Sequence, residues 1–155
     1  SAVETILESA WAGPFTTAVA DALGGRIRVT EALGRFELTM RQSGMLRELA
    51  ASEWSDGTLR YVLMAAALLS PRPPGLLVLN EPEASLHPDV LPALGRLISD
   101  AATRTQVVVV THSGPLVAAL AGADTVEHEL TKDLGETLVA GQGLLTRPRW
   151  SWGSR

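Results

Sequence analysis

The chain has 155 residues, 46% of them apolar and 19% charged, with no cysteine and a formal net charge of −4. That length and balance are enough for one domain with a real core, and they exclude a disordered segment, a disulfide-stapled module and a thiolate metal centre. The acidic balance gives no general attraction for nucleic acid, and DNA binding would need a local basic patch; no apolar run is long enough to cross a bilayer and no signal peptide is evident, so membrane insertion is not expected and a cytoplasmic location is the default.

Residues 1–23 read as helical, with Ala, Leu and Val at mixed spacing and a break expected at Gly13–Pro14. Gly24–Gly25 is a turn. Arg26 to Thr30 and Arg35 to Arg41 alternate polar and apolar residues around Gly34, which predicts two half-exposed strands, a hairpin in outline. Ser55–Asp56–Gly57 is a helix start, and Thr58 to Leu69 follows as a helix that is apolar nearly all round and therefore expected to be well buried. Pro71 to Gly75 ends it.

Leu76 to Leu79 is a short apolar run that stops abruptly at Asn80 and Glu81. It reads as a buried parallel strand delivering polar groups at its carboxyl end, where open α/β sheets place their ligand sites. Pro88 opens a helix to about Ala102, with Leu91, Leu94, Leu97 and Ile98 on one face. Gln106 to Thr111 is a second strand of this kind, ending in Thr111–His112–Ser113, and Pro115 lies in the first turn of a helix reaching Leu120. Weak strands are expected near residues 125–129 and 136–139, and the tail from Arg147 to Arg155 has no periodicity. The whole is expected to be α/β, a mostly parallel sheet flanked by helices, with residues 1–155 forming a single partial domain and 147–155 an irregular tail.

Lysine is nearly absent: Lys132 stands alone, in Leu–Thr–Lys–Asp–Leu, with no Gly-rich approach. A phosphate-binding loop needs a lysine after its Gly-rich turn to reach the outer phosphates. Neither Gly24–Gly25 nor Gly141 and Gly143 is followed by Lys–Ser or Lys–Thr. The chain is therefore expected to start inside a larger fold and to lack the first, phosphate-binding lobe.

Taken in order, Ser55–Asp56–Gly57, the strand ending in Asn80–Glu81–Pro82–Glu83, the segment Ser85–Leu86–His87–Pro88 and the strand-end His112 resemble the signature motif, Walker B strand, D-loop and switch histidine of ABC-type ATPases, and in particular the RecF/SMC-like group of AAA-family ATPases. The resemblance is strongest from Ser55 to Leu120, under half the chain. Each motif alone is moderately specific, and their order is much more so.

The resemblance implies the carboxyl-terminal lobe of a P-loop NTPase fold that binds and hydrolyses ATP with Mg²⁺. It makes Glu81 the carboxylate that holds a water for in-line attack, and His112 the sensor of the γ-phosphate. It makes Ser55, Asp56 and Gly57 a phosphate-binding helix start serving nucleotide held by an opposite subunit, which implies a homodimer, and it places Ser85 and His87 at that junction. Asn80 stands where the family usually has a metal-orienting aspartate. Asparagine is a poorer partner for a hard cation but can still hydrogen-bond a metal-bound water. Asp56 replaces a glycine and would face an anion unfavourably. Alone, this segment would bind ATP weakly at best and be inactive, and its uncovered sheet would drive self-association.

Plainer readings stand beside these. Ser55 alone is an ordinary helix cap, Glu81 a solvated loop carboxylate and His112 a strand-end cap. His87 and His112 have no carboxylate or cysteine spacing for zinc, and His128 reads as a surface residue. Trp150 and Trp152 among arginines could stack on bases, but two aromatics make a thin platform. For the function, a non-catalytic dimerisation module and a DNA-repair or defence ATPase remain as alternatives to the ATPase head.

Overall fold

Two helices open the computed structural model, which describes residues 2–141 apart from 33, 34, 43, 123 and 134. The first, α1, spans Ala2–Leu7 and the second, α2, Ala12–Leu23. The break therefore falls at residues 8–11, not at Gly13–Pro14. Ser9 makes it: its hydroxyl donates to the Ile6 carbonyl at 2.7 Å and accepts the Trp11 amide at 3.1 Å. Pro14 sits inside the first turn of α2, where backbone amides have no intrahelical partner to lose.

The expected hairpin is present. Strand β1 (Gly25–Ala32) pairs antiparallel with β2 (Arg35–Gln42), and the register sets Ile27 opposite Met40, both buried. A two-residue strand β3 (Leu49–Ala50), too short for any alternation to reveal, adds to β2 through Thr39 and Met40. The segment leading out of β3 is firmly tied. Arg47 forks onto Glu53 with bonds of 2.6 and 2.8 Å, Glu53 also accepts the Ala50 amide at 3.0 Å, and Trp54 donates to the Leu49 carbonyl. The Arg47 bonds and the Ala50 amide together hold the Glu53 carboxyl down at about 2.

Helix α3 (Asp56–Leu68) follows, packing against α1, α2 and α4 (Leu91–Ala102). It buries Tyr61, Val62, Ala65, Ala66 and Leu68, but Leu59 and Leu63 are exposed, so the helix is covered on one side and not all round. Complete burial of each such side chain contributes about 1.5–3 kcal/mol. The Tyr61 hydroxyl donates to the Ala18 carbonyl at 3.2 Å, which satisfies it inside the core, and burial pushes the phenol up to about 12.

Strands β4 (Leu76–Asn80) and β5 (Gln106–Val110) form a parallel pair in the register Leu76–Gln106 to Asn80–Val110, joined by α4. The parallel pairing expected of the sheet is found here; the other ladders among the described residues are antiparallel. The ends of the pair are pinned from below: Arg104 donates to the Leu68 and Ser70 carbonyls and lies 4.1 Å over the Trp11 ring, while Thr105 bonds the Pro74 carbonyl.

The strands are not buried on both faces as their composition led us to expect. Leu77, Leu79, Val107 and Val109 pack on the core, whereas Leu76, Val78, Val108 and Val110 are 41–59% exposed. Asn80 lies on this open face with them. Helix α5 (Gly114–Leu120) packs on α4, where Gly95 lets the two approach: a Cβ there would strike Ala119.

These elements make one compact unit, Ser1–Ala121, and Gly122–Arg155 makes a second. In the second, β6 (Leu130–Asp133) and β7 (Glu136–Val139) form a hairpin. The later weak strand is thus found in place, while the earlier one, expected at residues 125–129, begins at Leu130 instead, and Val126 is 78% exposed. Trp150, Trp152 and the tail lie outside the described residues. No described helix is long and apolar enough to cross a membrane.

Candidate functional site

The carboxyl ends of β4 and β5 bring Glu81 and His112 together. The ladder runs one residue past β4, the Glu81 amide donating to the Val110 carbonyl at 2.8 Å. Glu81 then turns with a left-handed backbone, φ 45°, which costs a residue with a β-carbon about 1–3 kcal/mol unless its surroundings impose it. Arg60, one turn into α3, imposes it from the other side: its guanidinium donates to the Glu81 carbonyl at 2.9 Å. Pro82, fully buried, anchors the turn that follows.

The Glu81 and His112 side chains are 54% and 77% exposed, and His112 Nδ1 lies 3.7 Å from a Glu81 oxygen. A second carboxylate, Glu83, comes closer, with Oε1 at 3.5 Å from the same nitrogen. Glu83 is only 8% exposed. Its Oε1 accepts the Thr111 hydroxyl at 2.5 Å and the His112 amide at 3.2 Å, and Thr111 Oγ1 in turn accepts the Ser113 amide at 3.0 Å. Burial alone pushes the Glu83 carboxyl up. The bonds from Thr111, from its own backbone and from the His112 amide outweigh that, with the His112 ring adding to them, and hold it below the usual carboxylate range. Its Oε2 is buried with no hydrogen-bond partner among the described residues.

The other candidates sit around this centre. Ser55 caps α3, its hydroxyl accepting the Thr58 amide at 3.2 Å and donating to the Thr58 hydroxyl. Asp56 is exposed in the first turn, and Gly57 follows. A Cβ on Gly57 would overlap the Ser85 carbonyl oxygen, so glycine is what lets the start of α3 and the loop after β4 touch. Ser85 itself has φ 65°. His87 is a cap in this structure: its Nδ1 accepts the Asp89 amide at 3.3 Å, opening the 3-10 turn Pro88–Val90. Asn80 ends β4 on the open face. A cavity of about 390 Å³ lies elsewhere, lined by Ala20, Gly24, Gly25, Arg26, Arg41 and Gln42, and contains none of these residues.

Among the described residues no group of three His, Asp, Glu or Cys side chains could hold a metal ion. The oxygens of Asn80 and Glu81 fit magnesium only as the one or two protein ligands it takes beside phosphate oxygens and water. Two residues of this site escaped the sequence reading as sites, Glu83 and Arg60. Glu83 was noticed only as company for Glu81. Arg60 carried a readable signal, since a charged side chain in an otherwise apolar helix needs a partner.

Residues 11–119 match the family model described as AAA domain, putative AbiEii toxin, Type IV TA system. The chain belongs to this AAA domain family. No curated protein matches it significantly. Its fold is that of SMC head ATPase domains, and the AAA domain here is an α/β fold of P-loop NTPase type. One such structure, from a study of ATP-driven dimerisation and DNA-stimulated activation of SMC ATPases, superposes with a TM-score of 0.66 at 18% identity, covering 93% of this chain and 87% of the other. An SMC head bound to the C-terminal winged-helix domain of ScpA gives 0.69 at 19% identity, covering 92% and 43%. The SMC head domain from Thermotoga maritima gives 0.57 at 22% identity, covering 88% and 49%. The AAA domain chain thus spans less than half of these last two heads.

Proposed function

We propose that this AAA domain chain is the catalytic-carboxylate lobe of an ATP-hydrolysing head. The observation that carries the proposal is the meeting of Glu81 and His112 at the ends of adjacent parallel strands, beside an α3 start that is packed against the Ser85 loop. ATP supplies the phosphoanhydride bond. Glu81 orients a water and accepts its proton, and Arg60 and Val110 fix the backbone that aims the carboxylate. His112 turns Nδ1 to the carboxylates and Nε2 outward, toward a phosphate oxygen; because carboxylate and phosphate oxygens both accept, bonding the two at once takes a ring protonated on both nitrogens. Asn80 holds a magnesium-bound water. Ser55, Asp56 and Gly57, with Ser85 and His87 nearby, meet nucleotide across a homodimer.

The phosphate cradle comes from a further lobe carrying a Gly-rich loop and its lysine, docked on the open face of β4 and β5. The exposed Leu76, Val78, Val108 and Val110 support this, because soluble domains seldom leave such a contiguous apolar face uncovered. The isolated chain should accordingly self-associate. Sedimentation of the native chain is expected to show oligomers that Val108→Lys disperses, and a monodisperse native monomer at high concentration counts against an uncovered face.

A second reading, a non-catalytic dimerisation module, draws on Asn80 in place of an aspartate. Mg-ATP turnover by the chain together with its phosphate-loop lobe, beside the Glu81→Gln variant, separates the two. The family description also keeps a defence-associated role open to test, and DNA-stimulated activation belongs to the SMC relative.

A further inference from the structure

Glu83 is a largely covered carboxylate, its side chain 8% exposed, at the centre of a site in which the two exposed side chains have the obvious chemistry. Burying a charge is costly unless hydrogen bonds compensate it, and one of its two oxygens has no partner among the described residues. What the carboxylate provides is a junction: Oε1 takes both the Thr111 hydroxyl and the His112 amide, and it also faces the His112 ring. The loop after β4 is thereby fastened to the loop after β5 at the residue on which His112 depends. No other side chain among the described contacts fixes the His112 backbone.

We propose that Glu83 is the positioning residue of this site, gathering Thr111 and His112 on one carboxylate oxygen so that the His112 ring stands beside Glu81 with Nδ1 inward and Nε2 outward. Glu83 does not touch the reacting atoms; it acts through His112. The proposal deepens the ATPase reading and rests on that reading only for its catalytic meaning, since the arrangement itself belongs to this chain.

The test therefore has a readout besides activity. Nuclear magnetic resonance on the nitrogen-labelled 155-residue chain would follow amide exchange at His112 and the ring-nitrogen shifts that distinguish its tautomers, in native protein, Glu83→Ala and Glu83→Gln. Glu83→Ala should speed exchange at the His112 amide about tenfold, the loss of one charge-assisted hydrogen bond, and weaken the preference for the Nδ1–H ring. Glu83→Gln still offers an oxygen to both donors and should restore most of the amide protection. Exchange at Val78 and Val109 should not change.

An unaltered His112 in Glu83→Ala overturns the proposal. So does loss of the fold, or of protection throughout β4, β5 and α4, because either makes Glu83 a general support. In the assembled head, Glu83→Ala should lower kcat and leave KM unchanged. If the native head turns over no ATP, the ATPase reading falls, while the resonance result still decides the role of Glu83.

Discussion

Glu81→Gln in the chain joined to its phosphate-loop lobe is expected to lower ATP turnover by about 10²–10⁴-fold, the span over which a positioned general base contributes. Nucleotide affinity should hold. Glutamine has the same shape and leaves the backbone amide and carbonyl bonded to Val110 and Arg60, so the turn at φ 45° survives the change. What disappears is the capacity to take a proton from water. His112 also loses one of the two carboxylates near Nδ1, but the closer one, Glu83, stays. Steady-state phosphate release beside equilibrium nucleotide binding decides the matter. Equal turnover in both proteins would remove Glu81 from the chemistry, and no turnover in either, with ATP still bound, would favour a nucleotide-sensing scaffold.

Gly57→Ala should have the second largest effect, on stability, and its sign is the informative part. In an ordinary helix, replacing glycine by alanine stabilises by about 1 kcal/mol. At Gly57 the new methyl meets the Ser85 backbone carbonyl, in a loop whose φ of 65° leaves it little room to retreat. Overpacking against backbone costs about 1–3 kcal/mol, so the steric term wins and the variant should be less stable than the native chain. Gly13→Ala is the control, because nothing lies within 4 Å of a Cβ there and the residue is also near a helix start. Urea denaturation should move the two midpoints in opposite directions. A stabilised Gly57→Ala would show that the start of α3 and the Ser85 loop do not touch.

The chemistry-bearing positions were legible in the sequence because they sit where apolar runs stop. The run Leu76 to Leu79 ending in Asn80–Glu81, and the four valines ending in Thr111–His112, announce strand ends, and strand ends of a parallel pair meet in space. Ser55 was legible as a cap for the same local reason. The contacts that organise these residues were not legible, since they join segments 21 to 29 positions apart: Arg60 with Glu81, Glu83 with Thr111 and His112. Nothing local distinguishes Glu83 from a solvated glutamate. Strand burial was misjudged because a run of valine and leucine looks alike whether one face or both are covered. The break between α1 and α2 moved because proline in a first helical turn is harmless, while a serine bonding on both sides ends a helix without any composition cue.

The left-handed turn at Glu81 sets durability against chemistry. A glycine or asparagine would adopt φ 45° with less strain, so either would make the chain harder to melt while deleting the carboxylate. Heat resistance, used as the sole criterion in a search for improved variants, would therefore reward the loss of the residue on which the proposed reaction turns. The tolerance of this fold for an ill-suited residue at that one position is a reserve of stability held by Arg60 and the β5 carbonyl, and variants weakened at either would have less of it to spend on Glu81.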